Sequence, residues 1–320
     1  MNNNMETEEP TTETCILDRG PRKIVVLKGA SGRISAAQAA ELGATWRYNW
    51  QYFQLDPAGP GDGKKHVLAE DTVPMLRPCA WEEWDRNRAR WVAEQNPGRV
   101  WLLGNEPTLF DQDGEPDPKR AAKKTRNMMR LVNHYDPKAT FIVGGFMAMH
   151  AGHPSFPEAG AVVPAADYPV YWQEYMHWLR HFMGADGLDL GMVKGVHIHL
   201  YYRSFDPAPR EWQWFADSAS WVKGWVRSTW ITNPELWVTE WGDLGHYAAL
   251  QSTYMRGCLE WMEISGVVAR HAWFVASSPI EWGGYRLLDR DGDILPLGQV
   301  YAEYAGTVEM EKELLWQRNR

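Results

Sequence analysis

The chain is short of the features that mark several specialised classes. It has only three cysteines, Cys15, Cys79 and Cys258. They are too far apart for a disulfide framework and fit no metal-ligand spacing. No run of about 18 apolar residues is present, which excludes a transmembrane helix and leaves no membrane partner to expect. Basic residues are not in excess: 33 Lys and Arg stand against 41 Asp and Glu, for a net charge of −8. A nucleic-acid partner would call for a basic face, so none is expected. The first residues are rich in Asn, Thr and Glu and lack an apolar stretch, so they do not read as a signal peptide. The expectation is a cytoplasmic protein, or an exported one whose signal lies outside this sequence. Residues 1–20 read as a disordered leader, and residues 21–320 as one domain, expected to be monomeric.

Aromatic residues are abundant. There are 19 tryptophans in 320 residues, with 44% hydrophobic content overall. Most of these indoles are expected to pack in a core or under helices, Trp81, Trp84, Trp91, Trp172, Trp178, Trp212 and Trp214 among them. The remainder offer flat faces of the kind that stack on sugar rings.

Strand-like and helix-like segments alternate along the chain. Strands are expected at Lys23–Lys28, Ala44–Tyr48, Thr72–Leu76, Arg99–Gly104, Thr140–Gly145, Val193–Leu200, Leu236–Thr239 and Ala269–Val275. Helices are expected between most of them, with a closing helix over Gly298–Leu315. Residues 50–65 carry Pro and Gly turn signals without helical period, so the helix after strand two is expected to be reduced or missing. Eight strands with helical returns predict an α/β protein, a (β/α)8 TIM barrel. The runner-up is an open doubly wound sheet, which lacks support because no glycine-rich dinucleotide fingerprint follows the first strand.

In a barrel, the carboxyl ends of the strands carry the chemistry. Two apolar runs stop there at a glutamate: Leu103-Gly104-Asn105-Glu106-Pro107 and Trp237-Val238-Thr239-Glu240-Trp241-Gly242. A carboxylate at a core edge is costly unless it has a task. Strands four and seven lie across the mouth from each other, so Glu106 and Glu240 can converge over one pocket. Paired carboxylates of this kind split glycosidic bonds, one as acid and one as nucleophile or base. Glu106 is assigned as the acid and Glu240 as the nucleophile, with His199 and Tyr201 as donors; on chemistry alone the two roles could be exchanged. The simpler alternative, in which each glutamate merely caps a following helix, must hold twice to remove the site. Trp46, Tyr48, Asn49 and Trp50 from strand two, Asn105 from strand four, His197, His199 and Tyr201 from strand six, Trp241 from strand seven and Trp273 from strand eight are the expected sugar-lining residues.

Other chemistries are weaker. His197 and His199 could share a metal ion, but no third ligand is evident, and polar lining of a sugar site is preferred. Asp289–Asp293 and Asp111–Glu115 lack the order of a calcium-binding loop and read as turns. Ser277-Ser278 lacks a nucleophile elbow. No cofactor or metal is expected.

The same segments, with Trp46-Arg47-Tyr48-Asn49-Trp50, Val73-Pro74-Met75-Leu76, His199-Leu200-Tyr201, Ala272-Trp273-Phe274 and Leu297-Gly298-Gln299-Val300-Tyr301, resemble the clan A retaining glycosidases. Among these the pattern is similar to glycoside hydrolase family 128 and the related glycosyl hydrolase catalytic core family, from about residue 23 to 305. The resemblance implies Glu106 as acid/base and Glu240 as nucleophile. It also implies that His199, Tyr201, Asn49, Trp50 and Trp273 line the sugar subsites, and that the substrate is a β-glucan cut by an endo-β-1,3-glucanase. Another β-linked polysaccharide such as mannan or xylan, or a barrel that binds glycan without cutting it, are the alternatives. Arg47 stands where an aromatic is typical and Trp241 where Phe is common, and the loops 150–166 and 205–210 depart from the pattern.

Overall fold

The computed structural model describes residues 23–311, apart from 33, 51–67, 80–82, 110–111, 148–166, 203–210, 230, 232, 244–247 and 278–284. The expected leader, Cys15, Trp81, most of the loop after strand two and the loops 150–166 and 205–210 lie outside the described residues.

The elements run β1 (Lys23–Gly32), α1 (Ala36–Glu41), β2 (Trp46–Tyr48), β3 (Met75–Leu76), α2 (Glu83–Gln95), β4 (Val100–Leu103), α3 (Pro118–Tyr135) and β5 (Thr140–Met147). They continue as α4 (Tyr168–Ala185), β6 (Val193–Tyr202), α5 (Glu211–Thr229), β7 (Glu235–Asp243), α6 (Ala248–Ser265), β8 (Arg270–Ser277), α7 (Pro296–Ala302) and β9 (Thr307–Glu311). The hydrogen-bonded order is β2-β1-β8-β7-β6-β5-β4-β3, parallel throughout. A bridge between Arg47 and Thr72 joins the two ends. It is made by Arg47 N donating to Asp71 O and Val73 N donating to Arg47 O, both at 2.9 Å. The sheet therefore closes, and the protein is a (β/α)8 barrel.

Local sequence explains where the helices start. Ser35 and Gln38 form a reciprocal capping box on α1, and the Asp117 side chain caps α3 with Pro118 in the first turn. The strands are apolar on both faces because both are covered. Along β4 and β5, Leu102 and Ile142 point into the ring, whereas Trp101, Leu103, Phe141 and Val143 point out under the helices.

The interior of the ring is filled mainly by Trp46, Tyr48, Met75, Leu102, Ile142 and Trp237. Here one expectation is corrected. Trp46 is 2% exposed, its Nε1 donates to Leu27 O at 3.2 Å, and its ring lies 5.3 Å from that of Trp237. A β-carbon on Gly29 would stand 2.2 Å from this indole, so β1 is hollowed to admit it. Trp46 is barrel core and does not reach the mouth; Tyr48, two residues on, sits above it.

A second correction concerns the end of the chain. The closing helix stops at Ala302, and Thr307–Glu311 returns as a strand antiparallel to Lys23–Leu27. Lys28 N donates to Gly306 O at 2.9 Å, which starts this pairing, and the β-branched pair Thr307-Val308 suits it. Trp91, expected to pack, is 41% exposed.

Candidate active site

Glu106 is delivered by a sharp turn after β4. Gly104 N donates to Leu76 O at 2.8 Å, and Glu106 N donates to Gly145 O at 2.8 Å. Glu106 has φ 49° and Trp50 has φ 60°; among the described residues these are the two non-glycine positions in the left-handed region. Such a conformation costs on the order of 1–3 kcal/mol each and persists where the surroundings impose it. The turn is possible because Gly104 and Gly144 meet closely: a β-carbon on Gly104 would stand 2.3 Å from Gly144 O.

Glu240 reaches the same place through an irregularity in β7. Ile198 pairs with Val238, but His199 pairs with Glu240, so Thr239 is an extra residue. The register toward β8 skips in the same stretch. Trp237 points into the ring, and strict alternation would turn Glu240 out toward the helices. The bulge at Thr239 restores it to the inside. Thr239 also faces inward: its carbonyl accepts from Tyr48 Oη at 2.8 Å, and its Oγ1 lies 3.1 Å from His197 Nδ1.

The two carboxylates meet on His199. Its Nδ1 lies 2.8 Å from Glu106 Oε1 and its Nε2 3.4 Å from Glu240 Oε1. Glu106 is 8% exposed, Glu240 3% and His199 1%. Tyr201 Oη donates to Glu240 Oε2, and Trp50 Nε1 donates to Glu240 Oε1 at 2.5 Å. Tyr48 Oη is 3.4 Å from the same oxygen.

Burial sets the protonation states. It pushes Tyr48 and Tyr201 well above the usual tyrosine range, and the Glu240 charge adds to this, so both remain donors. Burial also pulls His197 down to about 3, helped by His199, which leaves His197 neutral. His199 behaves oppositely. Burial alone would lower it, but the charge of Glu240 and then the bond and charge of Glu106 outweigh that and hold it above the ordinary histidine value. Glu240 is raised: burial and the Glu106 charge push it up, against His199, Tyr201 and Trp50.

Glu106, His199 and Glu240 bring one donor atom each within 4.8 Å of one another, a spacing compatible with a metal ion. The two nitrogens of His199 face different carboxylates, however, so the ring bridges them instead of converging with them on one point. His197 takes no part: it is bonded to Thr239 and lies 3.4 Å from Leu103 O.

The other expected residues divide. Asn105 is buried beside Glu106, with Nδ2 donating to Gln112 Oε1 at 3.0 Å and a buried Oδ1 that has no partner among the described residues. Asn49 is half-buried at the end of β2. Trp241 and Trp273 do not face the cleft. Both are fully buried on the helix side of the barrel, 4.7 Å apart, and Trp273 Nε1 donates to Tyr285 O at 2.7 Å. Each neighbours an inward-facing residue, and strand alternation turns it away. The inward residue on β8 is Phe274, half-buried, 5.4 Å from Tyr201 and 5.9 Å from Trp50. Met147, Tyr168 and Tyr201 form an apolar rim with it. The Trp-Phe order on an alternating strand was the signal for Phe274; Tyr168, placed on α4, gave none. The Asp289 carboxylate accepts from the backbone N–H groups of Asp291, Gly292 and Asp293, as a turn does.

The sequence pattern of the glycosyl hydrolase catalytic core family matches residues 28–301. No curated protein matches the sequence significantly. Solved structures share the fold. A subgroup II endo-β-1,3-glucanase of glycoside hydrolase family 128 from Sorangium cellulosum is 20% identical, with TM-score 0.61 over 86% of this chain and 97% of its own. A subgroup I endo-β-1,3-glucanase from Amycolatopsis mediterranei, in complex with laminarihexaose, is 18% identical, with TM-score 0.57 over 87% and 99%. A subgroup VI exo-β-1,3-glucanase from Aureobasidium namibiae is 14% identical, with TM-score 0.53 over 86% and 96%.

Proposed function

We propose that this chain, which belongs to the glycosyl hydrolase catalytic core family and is a glycoside hydrolase, cleaves a β-glucan by a retaining mechanism as an endo-β-1,3-glucanase. The observation that carries the reading is the meeting of Glu106 and Glu240 across His199, where one carboxylate oxygen of each lies within 4.8 Å of the other, the close spacing a retaining pair needs. Retaining enzymes hold their carboxyl groups about 5–5.5 Å apart, whereas inverting ones leave about 6.5–9.5 Å for a water.

The roles follow from the donors. Among the described residues, Glu240 is met by the Tyr201 hydroxyl and the Trp50 indole, with Tyr48 close by, whereas the Glu106 side chain is met by His199. Donors favour the ionised form. This asymmetry, more than the upward push of burial, makes Glu240 the nucleophile. Its carboxylate attacks the anomeric carbon while Glu106 passes its proton to the departing glycosidic oxygen. Water then enters, gives a proton to Glu106, and displaces the sugar from Glu240. The β-1,3 linkage is supported by the fold shared with endo-β-1,3-glucanases, one of them in complex with laminarihexaose.

The test is a product screen on laminarin, lichenan, mannan and xylan with the wild type and Glu240→Gln. Laminari-oligosaccharides of mixed length from laminarin, and loss of turnover in a folded variant, are expected. Release from mannan or xylan alone would reassign the substrate. An active Glu240→Gln would remove the mechanism, and binding without cleavage would make the barrel a glycan receptor.

A further inference from the structure

We infer that Trp50 is a positioning residue for the nucleophile: its indole N–H holds one oxygen of Glu240 in the attacking orientation, and the ring is not a stacking platform for sugar. The inference rests on the reading of Glu240 as nucleophile.

Three observations converge. The Nε1–Oε1 distance is 2.5 Å, so the indole N–H is in direct donor contact with the carboxylate; hydrogen bonds to a charged acceptor are stronger than those between neutral groups. The ring is wedged edge to face between Tyr48, 5.6 Å away, and Phe274, 5.9 Å away, so neighbouring aromatics already engage it. The backbone at Trp50 has φ 60°, a conformation a bulky residue takes up where something requires it. That turn follows the last residue of β2 by two positions and brings the indole back over the end of β7. Tyr201 holds Oε2 from the other side. The carboxylate is thus gripped on each oxygen by a neutral donor that stays protonated throughout the working pH range. The two neutral donors fix the orientation.

Stacking and positioning make opposite demands on the side chain. A platform needs the ring face and keeps its use when Trp becomes Phe. A positioning donor needs the N–H, which Phe lacks, while Phe still fills the space between Tyr48 and Phe274. With the polysaccharide cleaved in the screen above, Trp50→Phe should lower kcat roughly tenfold or more, since a bond to a charged group is lost, with KM changed less than about twofold. Independently of turnover, the assigned Trp50 indole N–H resonance should lie downfield in the wild-type protein and move upfield in Glu240→Gln. A raised KM with unchanged kcat would make Trp50 a sugar platform and overturn the inference. So would an indole resonance indifferent to Glu240→Gln, which needs no folded Trp50 variant. Full activity of Glu240→Gln would instead defeat the functional reading and is a separate outcome.

Discussion

His199 Nδ1 lies 2.8 Å from Glu106 Oε1, and the opposite nitrogen of the same ring faces Glu240. One imidazole therefore bridges the two carboxyl groups. Replacing it with glutamine keeps a polar group but loses the ionisable ring and the second contact. His199→Gln should lower kcat by about 10²–10³, the range seen when one preorganised electrostatic partner is removed. Steady-state kinetics alongside circular dichroism checks it; a change of less than tenfold would leave His199 as mere lining.

Glu240 links activity to stability. Burial raises it above its unfolded value, so the folded protein binds that proton more tightly than the unfolded chain does. Stability is then lost as pH rises from the unfolded carboxylate value, about 4.3, through the folded one, and stays lower above it. Glu240→Gln has no charge to lose. Its melting temperature should exceed that of the wild type at pH 7 and converge with it near pH 4. Calorimetry at both values decides; a lower melting temperature at pH 7 would show that His199 and the donors outweigh burial.

Trp273 and Phe274 are adjacent but face opposite layers. Trp273→Ala should cost about 3–5 kcal/mol of stability, as large aromatic truncations in a core do. Phe274→Ala should leave the melting temperature nearly unchanged and reduce kcat/KM. Thermal melts and kinetics on the pair test which ring faces the cleft, and the reverse pattern would invert the assignment.

Gly144 has φ +128°, and a β-carbon there would lie 2.7 Å from His197 O and 2.8 Å from the Phe146 ring. Gly144→Ala adds about 1–3 kcal/mol of backbone strain and pushes on the strand that carries His199. A lowered melting temperature is expected, with activity reduced even well below the melt. Normal activity in the folded fraction would show that β6 yields without moving the site.

Chelation is a direct check on the bridging role of His199. Activity should survive prolonged dialysis against EDTA. Loss on chelation and recovery with a divalent ion would mean that Glu106, His199 and Glu240 converge on a metal.

The legible parts of the site were those that strand pattern exposes. Glu106 and Glu240 each end an apolar run, and His197, His199 and Tyr201 alternate on one strand, so their shared face can be read from spacing alone. Trp241 and Trp273 misled because proximity to a strand end does not tell which face a residue takes. For β7 the face also depends on the extra residue Thr239, which no local pattern announces. Trp46 shares the inward row with Tyr48, and depth within the ring decides that one packs and the other reaches Glu240. The strand at Thr307–Glu311 escaped because its partner, Lys23–Leu27, lies at the far end of the chain, while the nearby charged sequence has helical character.

That returning strand has a practical consequence. It pairs with the amino-terminal half of β1, while the carboxylates lie beyond the opposite ends of the strands. Positions 23 and 311 are cross-strand partners on the floor of the barrel. A support or module joined at position 23 or 311 itself would meet the barrel on the side away from Glu106 and Glu240 and would leave the face that carries them open.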